Sequence, residues 1–421
     1  MLETFKNAWK VHEIRKKILF TLAIVVIYRI GCAIPVPGVD VSVVAESVQT
    51  NSFFGLFNVL TGGAFEQFAI FALGISPNIN ASIIIQLLTM VIPALERWSK
   101  EGEEGRKKIS ALTRYATLAI SLLMAIGFTL GIRGALTDNN FLSYLFVILT
   151  VVAGSMLTMW LGEQITENGI GNGISMLIFV GIVSRIVPAA IGLVKNVAGG
   201  AFGWWWLPII LIGVVFIFAA IVFMDKGERK IQVNYAQRVV GRKVYGGQST
   251  HIPMKLNPSG VLPIIFAVSI VSLPTMVATW FPNTAYARFA KGYLGQTSVI
   301  YIVVYALLVI FFAFFYTTMT FNPIEVSKNL KENGGFVLGI RPGKPTSDYL
   351  SKILTKLTLA GSLFLAFIAI LPILVGMFNP ALQNMAIGGS STIILVNVAL
   401  ETASQLESMM LMRHYKGFLK A

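Results

Sequence analysis

Residues 70–92 read IFALGISPNINASIIIQLLTMVI, twenty-three positions without a charged side chain. A helix rises about 1.5 Å per residue, and the hydrocarbon core of a bilayer takes about 20 predominantly apolar residues to cross. The run therefore predicts a membrane-spanning helix. Pro77 removes a backbone donor and predicts a kink. Ile79 and Ile83 stack on one face at i, i+4, among the polar side chains Asn78, Asn80, Ser82 and Gln86.

Further stretches meet the same criterion near 18–34, 112–132, 142–162, 172–194, 205–224, 259–281, 298–321, 357–377 and 387–412. The expected fold is an all-α polytopic membrane protein with ten transmembrane helices. Composition agrees: 55% of the 421 residues are hydrophobic and 12% charged, and mean hydropathy is +0.75. A soluble chain carries about 25% charged residues. The spans divide five and five near residue 197, into 1–196 and 197–421. An odd number per half turns the second half upside down, which permits inverted repeats.

Charge placement orients the chain. The termini and the loops on their side hold 26 Lys and Arg, against two to four on the other side. The positive-inside rule then puts both termini in the cytoplasm of a multi-pass membrane protein. No small-residue cleavage site follows the first span, so the N-terminus does not read as a secretory signal. Cys32 is the sole cysteine, which excludes an intrachain disulfide.

On the outer side, just before residue 70, stands FFGLFNVLTGGAFEQ (53–67). Phe53, Leu56, Phe57 and Leu60 recur at i, i+3, i+4 and i+7, the face of a helix over about 53–63. Asn51 and Ser52 offer a cap, and Gly62 and Gly63 a stop. About nine residues reach roughly 14 Å, too short to span. From spacing alone, this is an interfacial helix lying on lipid.

Two cytoplasmic loops, about 225–258 and 322–356, are too long for simple connectors. KIQVNYAQRVVGRKVYGGQST (230–250) alternates as a β-hairpin. NPIEVSKNLKENGGFVLGIRPGKPTSDYLSKIL (322–354) begins as a short helix, breaks at Gly334-Gly335 and presents Arg341 and Lys344 in a Pro/Gly-rich turn. Basic loops follow from topology alone, yet their length and local structure also suit an anionic partner such as ribosomal RNA.

Catalytic chemistry is not legible. His12, His251 and His414 fall at cytoplasmic ends or loops, and GKP at 343–345 lacks the hydroxyl residue that a phosphate loop needs. ENGIGNGIS (167–175) misses the dinucleotide spacing and reads as a tight turn with a helix cap. No enzyme, cofactor or metal is expected. Ionisable residues within the expected spans are Arg29, Arg185 and Glu401, with Glu163 and Glu407 near ends. Glu401, one turn after Asn397, supports an alternative, a secondary transporter of a small solute. A buried polar contact between helices explains it equally. Ile174 and Ile178 repeat the i, i+4 pair, and Ile265 lies between Pro263 and Pro274. On residue type alone, these isoleucines face lipid or core.

Six blocks carry more. FALGISPNINASIIIQLL, KEGEEGRKKISALTRY, EQITENGIGNGIS, VNYAQR with GRKVYGGQSTHIPMKLN, FNPIEVSKNLKENGGFVLGIRPGKPT and GGSSTIILVNVALE resemble, in order, motifs of the bacterial SecY family. The resemblance implies a protein-conducting channel in the cytoplasmic membrane, with two five-helix halves closing as a clamshell around an hourglass pore. It implies an apolar pore ring of Ile79, Ile83, Ile174, Ile178, Ile265 and Ile394. It makes the short helix a plug, with Phe53, Gly55, Leu56, Phe57, Leu60, Gly62 and Gly63. It also implies a lateral gate bearing Pro77, Asn80, Ser82, Gln86, Pro263 and Pro274, through which signal sequences and nascent polypeptides reach membrane lipid. Docking residues would be Arg238, Arg242, Lys243, Arg341 and Lys344. Implied partners are the SecE and SecG subunits, the SecA motor ATPase and the ribosome. Asn397 departs from the aliphatic pattern of that family near the ring.

Overall fold

The computed structural model describes residues 9–50, 54–55, 57–58, 61–138, 140–200, 203–235, 238–240, 243–245, 249–281, 284–295, 298–378 and 389–418. A helix stands at each of the ten places expected to span. In chain order the helices are α1 (His12–Gly31), α2 (Val41–Thr50), α3 (Ser76–Val91), α4 (Pro93–Lys100), α5 (Glu103–Gly131), α6 (Phe141–Asn168) and α7 (Gly173–Ala198). They continue with α8 (Trp206–Lys226), α9 (Leu262–Trp280), α10 (Ala285–Tyr293), α11 (Val299–Thr320), α12 (Pro323–Glu332), α13 (Lys344–Phe378) and α14 (Gly389–Phe418). Among the described residues, six helices are both long and apolar enough to cross a membrane. α3 and α4 meet that test as a pair bent by 103°.

The bend has a local cause. Pro93 forces Ile92 into extended backbone (φ −97°, ψ 111°), and the chain restarts as α4 in a new direction. Pro77 and Pro263, in contrast, sit in the first turns of α3 and α9. A missing N–H costs nothing there, so the expected kink at Pro77 is absent. Pro274 lies inside α9. Residues 61–75 form turns, so the helix expected from residue 70 begins at Ser76.

Helices before residue 200 meet those after it along two lines. α7 packs on α14, while α5 and α3 pack on α9. Between the lines lie two apolar clusters. One holds Ile83, Ile264, Val271, Phe312 and Ile393; the other holds Ile24, Tyr28, Leu177, Ile178 and Ile394. Ile79 and Ile265 pack against both.

The two basic loops form one layer. β1 (Glu228–Tyr235) pairs antiparallel with β4 (Ser249–Lys255), placing Ile231 opposite Ile252. At the tip, β2 (Arg238–Val240) and β3 (Lys243–Tyr245) make a second hairpin. β5 (Gly335–Val337) joins the other edge of β1, with Val337 opposite Val233. The break expected at Gly334-Gly335 is therefore a turn, Gly334 at φ +70°, leading into a strand. Ile231, Val233, Met254 and Val337 are buried against Leu330 of α12 and Leu350, Leu354 and Leu357 of α13. α13 has 35 residues, starting at Lys344 rather than near 357. At roughly 52 Å it exceeds any bilayer core, and its first turns belong to the sheet layer.

Candidate pore constriction and plug

Ile79 of α3, Ile178 of α7, Ile265 of α9 and Ile394 of α14 line one cavity of about 50 Å³. Each comes from a different helix, and the helices belong to both sides of the two packing lines. Ile178 and Ile394 are buried, at 4% and 2% exposure. Met124, Met276, Ile75, Ile264, Val268 and Leu273 add to the apolar wall. Such a space admits no more than a few waters by volume. It has no room for a polypeptide.

Ile83 and Ile174 lie off this wall. Ile83 is buried in the α9–α11–α13 cluster, and Ile174 sits in the first turn of α7 beside Gly162. Residues at i and i+4 are about 6 Å apart along a helix axis. One layer of side chains therefore takes only one member of each pair. Sequence reasoning missed Met124 and Met276, whose flexible thioethers adapt to irregular space but carry no motif of their own.

The short helix reaches the same place. Phe57 lines the cavity beside the four isoleucines. Its ring stands 4.8 Å from Phe128 and 5.3 Å from Phe65, centroid to centroid. Phe54, off the expected apolar face, is also buried, between Phe65 and Phe128. Asn58 is 1% exposed. Burial of Phe54, Phe57 and Asn58 runs against the interfacial reading, because protein packs on these residues where lipid and water were expected. Gly55 is half-buried. Gly62 and Gly63 end the helix at φ +66° and +91°, a turn that side-chain-bearing residues resist. Phe53, Leu56 and Leu60 lie outside the described residues.

Beside the cavity, Ser76 and Asn80 of α3 share its wall with Ser269 and Ser272 of α9 and Ser390 of α14. Ser82 and Gln86 are half-buried further along α3, away from that wall. Pro263 is buried in the first turn of α9. The Pro274 carbonyl accepts a bond from the Tyr286 hydroxyl of α10 at 3.0 Å. A contact missed from sequence, Asn78 Nδ2 to Thr117 Oγ1 at 3.3 Å, ties α3 to α5.

In the sheet layer, Arg341 and Lys344 are exposed at opposite ends of one tight turn. Thr346 Oγ1 donates to the Arg341 carbonyl at 2.8 Å, and Ser327 Oγ to that of Gly343 at 2.6 Å. Gly343 has φ +100°. These bonds fix the turn and present the arginine. Lys344, which closes the turn, is also the first residue of α13. Arg238 and Lys243 lie on the β2–β3 hairpin, and Arg242 is outside the described residues.

Other residues have plainer places. Asn172 caps α7, accepting from the Ile174 and Ser175 amides, with Gly171 at φ +85° before it. Glu163 pairs with Arg114 at 2.9 Å. Glu401 is exposed and Asn397 buried, neither on the cavity wall. An exposed carboxylate lacks the enclosed setting of a carrier's coupling site, so the transporter reading finds no support. Among the described residues no cluster of His, Cys, Asp or Glu could hold a metal ion.

Residues 69–403 match the SecY family model. The chain is 45% identical to the protein translocase subunit SecY of Streptomyces scabiei, with 100% of each chain covered. The chain belongs to the SecY family. The SecY subunit of Corynebacterium glutamicum is 40% identical, with 100% of this chain and 99% of that one covered. Among solved structures, a protein-conducting channel aligns with a TM-score of 0.68 at 19% identity, covering 94% of this chain and 92% of that one. Sec61 from a canine ribosome–channel complex aligns at 0.62 and 18% identity, over 94% and 92%. A structure described for the SecY plug domain gives 0.65, at 19% identity with 94% and 92% covered. The SecY fold thus extends over nearly the whole chain.

Proposed function

We propose that this SecY-family chain is the channel subunit of a bacterial protein translocase. It passes unfolded secretory polypeptides across the cytoplasmic membrane and releases apolar helices sideways into lipid. One observation carries the reading: isoleucines from four helices meet Phe57 of a short helix in one small, apolar cavity. A narrow apolar ring resists ions by dewetting, yet deforms around a chain without holding any sequence strongly.

The ring is Ile79, Ile178, Ile265 and Ile394, with Ile83 and Ile174 one turn away as its flanks. The plug spans about 53–63. The halves are 1–196 and 197–421, ten spans in an inverted clamshell with both termini cytoplasmic. The lateral gate is the α3/α5–α9 seam, where serines and Asn80 make the joint polar and separable. An apolar signal helix entering there exchanges water for lipid and gains hydrophobic transfer energy. Arg341, Lys344 and the Arg238–Lys243 hairpin form the docking layer for SecA or ribosomal RNA, with SecE and SecG as companion subunits. The pore itself is passive, and the partner supplies the work.

The test is reconstitution with SecE and SecA in vesicles. ATP-dependent entry of a preprotein is the expected result. Accumulation of a small solute without preprotein entry contradicts the reading. In the same vesicles Arg341→Glu should cut SecA-driven transport by about tenfold or more, with equal channel in the membrane. Undiminished transport removes Arg341 from the docking surface.

A further inference from the structure

Beyond its phenylalanines, the short helix is held by a set of polar contacts that neither composition nor motif singles out. Its chain leaves through the Gly62–Gly63 turn, which lies flush on α7: a methyl group built on Gly62 falls 2.5 Å from the Gly181 Cα. The Gly62 carbonyl accepts from Arg29 Nη1 of α1 at 3.2 Å, while Ser184 Oγ of α7, 3.4 Å away, gives its one proton to the Gly181 carbonyl at 2.7 Å. Next comes Glu66. Its carboxylate accepts from Arg185 Nη1 of α7 at 3.2 Å and from Asn58 Nδ2 of the short helix at 2.9 Å. Asn58 Oδ1 in turn accepts the Glu66 amide at 3.0 Å.

The parts differ in strength. The Asn58–Glu66 exchange is local, two bonds spanning the turn, and it fixes where the carboxylate points. Arg185 and Arg29 are the contacts that cross from the wall to the short helix and its turn. The Arg185 and Glu66 side chains retain 26% and 36% exposure, so water can reach the pair when it parts. Arg185 Nε is buried without an acceptor, so the closed seat is not fully satisfied. A contact set that is charged, partly wet and incomplete holds an element in place yet releases it. Apolar packing of Phe57 alone would give burial without orientation.

We propose that Glu66 and Arg185 are plug-positioning residues: their ion pair, aligned by Asn58 and assisted by Arg29 on the Gly62 carbonyl, latches the short helix beneath the constriction. This rests on the channel reading above. Parting of the pair removes the charged hold on the helix, and the Asn58–Glu66 bonds travel with the released segment, so the remaining cost of release is the Arg29 bond and the packing of Phe54 and Phe57 on Phe128.

Ion conductance of vesicles carrying the complete channel tests this, with ATP-driven preprotein entry measured on the same vesicles. Arg185→Glu places two carboxylates together and should raise resting conductance about tenfold, the equilibrium effect of one charge-assisted hydrogen bond. Adding Glu66→Arg restores opposite charges and should bring conductance back toward the unaltered level. The isosteric Glu66→Gln keeps the Asn58 contacts and removes only the charge, so a several-fold rise is expected even if Arg185→Glu inserts poorly. Tight single variants in vesicles that still take up preprotein overturn the latch, and so does a double variant that leaks like Arg185→Glu. If the unaltered channel takes up no preprotein, the channel reading fails instead.

Discussion

A methyl group on Gly62 meets two obstacles together, a left-handed backbone at φ +66° and the Gly181 Cα at 2.5 Å. Backbone strain of this kind costs about 1–3 kcal/mol, and here the neighbour is main chain that cannot turn aside. If the short helix is the plug as proposed, Gly62→Ala should shift it toward its released state by about tenfold or more, since 1.4 kcal/mol is a factor of ten. Resting conductance reads that shift, and a tight Gly62→Ala channel would count against the seat described. Ile394, 2% exposed on the cavity wall, belongs to the same scale. Ile394→Asn brings an amide that water can follow into the constriction, so ion leak should rise; Ile83→Asn, off the wall, should leak less and instead destabilise its cluster. Equal leak from both would mean that the constriction extends beyond the one layer. Residue-level legibility was uneven for a physical reason. Isoleucine at i, i+4 marks a helix face, but which turn meets the axis depends on how the helices slide and tilt against their neighbours.

At the scale of elements, the sheet layer is the clearest case of structure that the chain order conceals. β5 has three residues and no strand pattern of its own; its pairing comes from β1, about a hundred positions earlier in the chain. The hairpin tip was legible through its alternation, whereas β4, carrying Pro253 and His251, was not. Leu350 is fully buried where α13 supports this sheet. Leu350→Ala should cost about 2–5 kcal/mol of local stability. Faster proteolysis or amide exchange within 228–255 and 335–337, with the spanning helices unaffected, is the expected signature. Uniform exchange across the chain would contradict a separately packed layer. The short helix shows the converse error. Its i, i+3, i+4 pattern was visible, but a pattern reports one apolar face and says nothing about an element enclosed on several sides, where Phe54 and Asn58 are buried as well.

For the molecule as a whole, run length marked ten places where a helix stands, and among the described residues six of those helices, or seven with the bent pair, are long and apolar enough to cross a membrane. Their outward faces remain apolar: α8 buries only Ile221 and exposes Leu211 and Phe216 at 66% and 72%. What run length cannot supply is the arrangement of those helices around a common axis, and here four isoleucines from four helices carry the argument. The channel reading requires a polypeptide to pass through that point. With Cys32 replaced, a cysteine at Ile394 should cross-link to a translocating chain arrested midway, and only while the motor and ATP are present. A cysteine at Leu363, 52% exposed on the outer surface, serves as the control and should not. Strong adducts at Leu363 with none at Ile394 would mean that the chain takes another path, and that the cavity is packing rather than pore.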